Sequence, residues 1–232
     1  MVMMTPPEIG ALCRTRNVLF HSDAVQAIGR IPVDVDEWGV DLLSVSAHKV
    51  YGPKGVGSLY IRQSGTKFGM TPLVFGGGQE SGLRSGTLPV PLIVGLGTAC
   101  SIAKKRRKEE TETIAWLTGK LRSRLLAAIP DALVHGQSQQ VLPGLLNIGI
   151  PEIDGDVFIH LLTGVAASQG SSCSAGSFEP SHVLRAIGVP DSLARASLRL
   201  GVGRFTTADE VDRAAELIVE AVERARQATR GT

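Results

Sequence analysis

The sequence has little of several residue types, and each shortage excludes a class of protein. Its three cysteines, Cys13, Cys100 and Cys173, are too few and too unpatterned for a disulfide framework or a zinc site. No apolar run reaches the roughly twenty residues that a membrane helix requires, and the N-terminus lacks the features of a signal peptide. The formal net charge of the 232 residues is only +2. We therefore expect a soluble, cytoplasmic globular chain with reduced thiols and no membrane partner.

The densest charge is a basic run from Lys104 to Lys108, which Glu109 and Glu110 follow at once. A basic run on a helix can bind nucleic acid, but it can also be an ordinary solvated helix face. The near-neutral chain favours the solvated face. We expect no direct contact with nucleic acid.

The most informative stretch is Ser46-Ala47-His48-Lys49, because it ends an apolar run and precedes a glycine-rich loop. The run before it, residues 40–45, is typical of a buried strand, and the glycines after Tyr51 let backbone approach a ligand closely. A lysine that condenses with an aldehyde reacts as the neutral amine, which partial burial favours. The pattern is equally typical of a lysine that caps a strand end.

A second apolar stretch, residues 18–22, ends at Asp23, and Gln26 follows one helical turn later. Ligands of open α/β sheets bind outside the carboxyl ends of strands, so Asp23 and Lys49 could face one pocket. Pyridoxal phosphate uses this pair of groups. The lysine holds its aldehyde, and the carboxylate keeps the pyridine nitrogen protonated.

These motifs resemble the cysteine desulfurases of the class V aminotransferase group. The resemblance begins near Glu8 and runs to the C-terminus with the motifs in family order. It rests on residues 21–26 (HSDAVQ), 46–49 (SAHK), 84–87 (RSGT), 170–174 (GSSCS) and 197–205 (SLRLGVGRF).

The resemblance implies an α/β fold. The first part would be the C-terminal part of the large domain of a fold-type I pyridoxal-phosphate transferase, with a partial mixed sheet and helices. The second part would be a small α+β domain. We place the first at residues 1–120 and the second at 121–232. Roughly the first half of the family pattern is absent, including a histidine that stacks on the cofactor ring and a phosphate-binding threonine loop. We interpret the chain as the C-terminal portion of a desulfurase, from a truncated or split gene.

The resemblance also implies roles for individual residues. Ser46 and His48 help to bind the cofactor phosphate, and Thr87 reaches the phosphate of the neighbouring subunit's cofactor in a homodimer. Arg199 matches the residue that binds the substrate carboxylate, which a planar guanidinium can hold through both oxygens. Asn147 either meets the same carboxylate or satisfies a strand backbone. The cofactor-binding set is therefore Asp23, Gln26, Ser46, His48, Lys49 and Thr87.

Cys173 differs from the other two cysteines in its surroundings, because residues 168–177 are rich in glycine and serine. Such a loop is mobile by composition and suits a thiol that attacks a substrate and then carries sulfur to an acceptor. Cys13 and Cys100 lie among apolar residues and are expected to be core thiols.

The function that the resemblance implies is removal of sulfur from L-cysteine, leaving alanine and a persulfide on Cys173, with Lys49 and His48 as the other catalytic residues. The acceptor would be a sulfur carrier or an iron-sulfur scaffold protein. Two other functions stay open. One is another class V enzyme, such as a selenocysteine lyase or an aminotransferase; the other is a remnant without activity that acts only through protein contacts.

Overall fold

The structure, a computed structural model, describes residues 5–63, 69–136, 141–169 and 179–230. Contacts within the chain divide it into two compact units, residues 2–107 and 108–232. The boundary lies inside one long helix, α3 (Val90–Ala128). The domain boundary after residue 120 stays a prediction.

The first unit contains a three-stranded mixed sheet in the order β1-β2-β3. Strand β1 (His21–Asp23) runs parallel to β2 (Leu42–Ser46), which pairs antiparallel with β3 (Gly57–Ile61). The remaining elements before α3 are two short α-helices and two 3₁₀ turns: α1 (Pro6–Thr15), α2 (Val35–Trp38), Ala47–Val50 and Glu80–Gly82.

The strand predicted over residues 18–22 was wrong at its start, since β1 begins at His21. Val18 and Leu19 are exposed, so their apolar character does not indicate a core position here. The chain joins the sheet only where the Phe20 carbonyl accepts from the amides of Asp41 and Leu42. Strand β3 returns along β2 after the lysine loop.

The core of this unit is small. Trp38, Val40 and Leu43 are buried together with Ala24 under one face of the sheet. A separate cluster joins Val50, at the end of the 3₁₀ turn, to the early part of α3. Cys100 packs on that cluster, and burial raises the pKa of its thiol. The first cluster lies beside the ends of β1 and β2, and the second packs the turn after β2 against α3, so together they fix the backbone there.

The second unit contains a three-stranded antiparallel sheet in the order β4-β5-β6. Its strands are β4 (Leu133–Val134), β5 (Leu145–Gly149) and β6 (Ser197–Gly201). Its helices besides the end of α3 are α4 (Gly155–Leu161), α5 (His182–Ala186), α6 (Asp191–Arg195) and α7 (Ala208–Arg230).

One core holds this unit together. Alternate residues of β5 and β6, namely Leu146, Ile148, Leu198 and Leu200, are buried with apolar residues of α3 and α7. Period-two burial of this kind puts one face of a sheet against helices and leaves the other for polar groups. The small α+β unit expected from the sequence is present.

Two details of this unit correct the prediction. Residues 165–168 form no strand, although Ser168 makes an isolated antiparallel bridge to Arg199. Strand β6 was not predicted, although Ser197-Leu198-Arg199-Leu200-Gly201 alternates between polar or small residues and leucine. Its signal was in the sequence, but an arginine at its centre and glycines beyond it resemble a loop.

An ion pair with little solvent exposure joins α3 to the segment after β6. Arg204 Nε lies 2.8 Å from Glu110 Oε1, and each side chain keeps only 10% of its exposure. Removing one partner of such a pair leaves the other charge desolvated, which costs about 3–5 kcal/mol. The pair therefore fixes the chain just beyond Arg199.

We predict that Arg204→Met lowers the free energy of unfolding by about 3 kcal/mol, because the Glu110 carboxylate stays buried without its counter-charge. Urea unfolding followed by circular dichroism measures the loss. The matched control is Arg213→Met, which removes an exposed arginine paired with Glu216 and should change stability by less than about 0.5 kcal/mol. Equal losses in the two variants would contradict the structural importance of the buried pair.

Candidate functional site

The parallel pairing of β1 with β2 brings four polar residues to one face of the first sheet. Asp23 lies opposite Ser44, and His21 lies opposite Leu42. Because side chains alternate along a strand, His21, Asp23, Ser44 and Ser46 share a face, while Leu43 packs into the core on the other. We call these four residues the polar face. Its carboxylate and hydroxyl groups lie at the carboxyl ends of two neighbouring parallel strands.

The Asp23 carboxylate is held by a backbone amide two residues later in the chain. Its Oδ1 accepts a hydrogen bond of 2.9 Å from the Val25 amide, which fixes the carboxylate at the end of β1. The side chain is exposed, so the carboxylate is accessible to a ligand. Gln26 is exposed in the same turn.

The lysine lies in the 3₁₀ turn that follows β2. The turn ends at Tyr51 in a left-handed conformation, with φ of 65°, and buries Ala47 and Val50. At Gly52 a Cβ would lie 3.0 Å from the Ala47 carbonyl oxygen, so glycine allows the chain to fold back there. His48 and Lys49 therefore extend from a turn with a buried anchor at each end.

The surroundings of Lys49 differ from the expectation. The side chain is exposed, not partly buried, and the strand ends at Ser46, so strand alternation does not govern His48 and Lys49. Ser46 Oγ lies 2.8 Å from His48 Nδ1, which joins the polar face to the turn. Because Nδ1 is engaged, Nε2 is the ring nitrogen that His48 can offer to a ligand.

His21 also lies at the site, although it was not predicted as a site residue. Its Nε2 lies 2.8 Å from Ser44 Oγ on the neighbouring strand, so the imidazole belongs to the polar face. The available signal was the spacing to Asp23, since residues two apart on a strand share a face. Ser44 could be found only once the register between the strands was known.

Thr87 lies elsewhere in the same unit, in a loop that Arg84 organises. Arg84 Nη1 donates to the carbonyls of Gly86 at 3.1 Å and Thr87 at 3.5 Å, while the Gly86 amide donates to Gln79 Oε1. Thr87 is exposed, and no described contact joins it to the polar face. The arginine thus positions the loop through carbonyl groups.

A second group of polar residues lies in the second unit. Asn147 and Arg199 are directly opposite on the antiparallel strands β5 and β6. Opposite residues share a face, and here it is the face away from the leucine and isoleucine core. Asn147 Oδ1 is buried and, among the described residues, lacks a hydrogen-bond partner. Arg199 forms no ion pair with a described residue. The Arg199 guanidinium can bind a small carboxylate, and the unsatisfied Asn147 oxygen can accept a hydrogen bond from a donor of the same ligand, as an amino acid would provide.

A half-buried histidine, His135, supports the strand that carries Asn147. The His135 amide donates to the Asn147 carbonyl, and His135 Nε2 lies 3.1 Å from Ser197 Oγ. Ser197 Oγ in turn donates to the Leu193 carbonyl, so the imidazole is the donor in the first contact. Burial lowers the pKa of His135, which favours the neutral ring, and the contact with Ser197 then fixes its proton on Nε2.

Cys173 lies outside the described residues, whereas the residues on both sides of its loop are described. Ser168 pairs with Arg199 through two backbone hydrogen bonds, and Gln169 donates to the carbonyls of Gly155 and Arg195. Beyond the loop, Glu179 contacts Arg185, which also binds Asp191 through two nitrogens. The chain enters the loop beside Arg199.

The polar face and the 3₁₀ turn that follows β2 together offer groups that fit pyridoxal phosphate. Asp23 offers a carboxylate for a protonated ring nitrogen, Ser46 and His48 offer a hydroxyl and an imidazole for an anionic group, and Lys49 offers an amine for a carbonyl.

Within the described residues no helix is at once long enough and apolar enough to cross a membrane.

Comparison with known proteins identifies the family of the chain. Residues 2–214 match the family described as aminotransferase class-V. Over 220 residues, 95% of the chain, the sequence is 45% identical to a cysteine desulfurase of Pongo abelii and 44% identical to the cysteine desulfurase IscS of Rickettsia prowazekii. The alignments cover 48% and 53% of those relatives, so the chain spans about half the length of the curated relatives it matches.

The fold is also that of a known structure. A NifS-like protein superimposes with a TM-score of 0.82 at 36% identity, covering 94% of this chain and 56% of that one. The expected fold, part of a fold-type I transferase with a partial mixed sheet, is confirmed. The chain belongs to the class-V aminotransferase family, and its relatives there are cysteine desulfurases.

Proposed function

We propose that this chain is the part of a pyridoxal-phosphate-dependent cysteine desulfurase that carries the cofactor lysine and the sulfur-accepting cysteine. The observation that supports it best is the juxtaposition made by β1 and β2, which puts Asp23 beside the strand that leads to Lys49. The identity of about 45% to cysteine desulfurases points to the same chemistry.

Pyridoxal phosphate would supply an electron sink that weakens the bonds at the α- and β-carbons of a bound amino acid. Lys49 would hold its aldehyde, and Asp23 would hold a proton on its ring nitrogen. Ser46 and His48, already hydrogen-bonded to each other, would contact its phosphate together with Gln26 and, from a neighbouring subunit, Thr87. His48 Nε2 and the freed Lys49 amine are the groups of this unit that could move protons.

In the second unit Arg199 would bind the carboxylate of L-cysteine through both oxygens, and Asn147 would orient it from the facing strand. Cys173, as the thiolate, would attack the substrate sulfur. A sulfur-sulfur bond then forms, the substrate carbon-sulfur bond breaks, and its electron pair remains with the carbon, which takes up a proton to give alanine. Cys173 is left as a persulfide.

The proposal extends to partners. A persulfide needs an acceptor, for which a sulfur carrier or an iron-sulfur scaffold protein is the expected class, and the role of Thr87 requires a homodimer. The cytoplasmic location stays a prediction, since relatives include desulfurases named mitochondrial and mitosomal. A selenocysteine lyase is the second candidate function, because it could share Cys173; an aminotransferase would not need a thiol there.

The first prediction concerns the lysine. With a complementary N-terminal half from a relative, borohydride should fix pyridoxal phosphate on Lys49, and Lys49→Ala should abolish both the label and the visible absorbance. Peptide mapping locates the label. Lys54→Ala is the matched control, because Lys54 is exposed in the adjoining loop, and it should keep the label. A label on Lys54 instead would overturn the assignment.

The next prediction concerns the thiol. Cys173→Ser in the assembled enzyme should keep the cofactor absorbance but reduce sulfide release from L-cysteine at least about a hundredfold, because a hydroxyl cannot carry sulfane sulfur. Cys13→Ser and Cys100→Ser are the controls and should retain turnover. Normal sulfide release by Cys173→Ser would favour a different class V enzyme.

We further predict that residues 1–232 alone bind pyridoxal phosphate at least about tenfold more weakly than the assembled enzyme and show no turnover. Asp23 and Lys49 are exposed in this chain, and β1 is an edge strand among the described residues, so few groups enclose a cofactor there. Absorbance titration and a sulfide assay on both preparations measure this. Tight binding and full turnover by the chain alone would refute it.

A further inference from the structure

The side-chain amide of Gln169 joins three separate segments of the second unit. Its Nε2 donates at 2.9 Å to the Gly155 carbonyl, at the start of α4, and at 2.8 Å to the Arg195 carbonyl, at the end of α6. Two carbonyl acceptors require two N–H donors, so the NH₂ end of the amide must face them. The Arg195 carbonyl is among the last four of its helix, which lack an intrahelical donor, so the side chain satisfies this group and also binds the first residue of α4.

The position of the two carbonyls depends on close backbone packing. A Cβ on Gly155 would lie 2.3 Å from the Arg195 carbonyl oxygen, so only glycine lets α4 approach the end of α6 this closely. The Ala196 carbonyl, one residue later, accepts from the Ile150 amide. The acceptors that Gln169 uses are therefore anchored to the sheet and to two helices.

The residue before Gln169 contacts the strand of Arg199. The Arg199 amide donates to the Ser168 carbonyl at 2.6 Å, and the Ser168 amide donates back at 3.4 Å. This bridge is isolated, because residues 165–167 do not continue a ladder along β6. A single bridge between strands is weak unless the chain beside it is fixed, and Gln169 is the fixed neighbour.

We propose that Gln169 is a positioning residue for Arg199. By binding the Gly155 and Arg195 carbonyls, it holds Ser168 against the outer edge of β6, and the Ser168 bridge in turn fixes the backbone of Arg199. The backbone of Arg199 is then hydrogen-bonded to Ser168 on one side and paired with β5 on the other, which limits where its guanidinium can lie. This inference rests on the proposed function only for the role of Arg199 toward a substrate carboxylate.

The variant that tests the proposal is Gln169→Glu, which keeps the shape of the side chain and removes its donors. At neutral pH the carboxylate would face two carbonyl oxygens and repel them, whereas the protonated acid can donate to one. We expect the protection factor of the Arg199 amide against hydrogen exchange to fall about tenfold at pH 7.5 and to recover in part near pH 5. NMR exchange on the chain itself measures this without cofactor or substrate.

The matched control is Gln227→Glu, the same change at an exposed position of α7, which should leave the protection of Arg199 unchanged. Gln169→Asn provides a second, neutral variant: its amide is one methylene too short to reach both carbonyls, so it should also lower protection but without recovery at low pH. Circular dichroism identifies a variant that fails to fold. Wild-type protection of Arg199 in both Gln169 variants would overturn the proposal.

In the assembled enzyme the same variants separate a positioning role from a structural one. Gln169→Glu should raise KM for L-cysteine about tenfold at pH 7.5 with less than a threefold change in kcat, and the KM should fall back toward wild type at lower pH. A loss confined to kcat would contradict the link to Arg199. If the wild-type enzyme has no desulfurase activity, the proposed function fails while the exchange result still decides the role of Gln169.

Discussion

The parallel register between β1 and β2 is the constraint on which the cofactor end of the molecule depends. Side chains alternate along a strand, so a slip of β1 by one residue would turn Asp23 toward the core, and a slip of β2 by one residue would turn Leu43 toward solvent. Burial of a leucine contributes about 2 kcal/mol, and an unpaired buried carboxylate costs several. The apolar contacts of Leu43 with Trp38 and Val40 therefore also determine which face carries His21, Asp23, Ser44 and Ser46.

Alternation of buried and outward side chains also determines the positions of the polar residues in the second sheet. Leu146, Ile148, Leu198 and Leu200 must face the helices, and this forces Asn147 and Arg199 onto the opposite side. The polar pair is thus positioned by the packing of its neighbours in sequence. Neither residue requires a polar partner in the core to adopt its place, which leaves both side chains for a ligand.

Much of the site could be predicted because its signals are local. Lys49 follows an apolar strand and precedes glycines, and Asp23 ends a strand, so both positions follow from strand and turn patterns. His21 and Ser44 were missed because their contact depends on register between strands separated by α2. Strand β6 was missed for another reason: its alternation was present, but its central arginine and following glycines resemble a loop. The bridge between Ser168 and Arg199 joins residues far apart in sequence and has no local signal.

The basic run at residues 104–108 lies in the long helix α3, which keeps most of its charges exposed. Its early buried residues, Leu96, Ala99 and Ala103, have helical spacing, and so have Ile114, Leu117, Leu121 and Leu125 near its end. The basic run lies along the helix between these two sets, where Lys104, Lys105, Arg106 and Lys108 are exposed. Glu109 and Glu112 follow Lys105 and Lys108 by four residues, the spacing at which opposite charges attract on a helix. These charges are a solvated, partly compensated stretch between two separate cores. Among the described residues, the clusters that pack behind Asp23 and beside Lys49 share no buried residue with the cluster that packs behind Asn147 and Arg199.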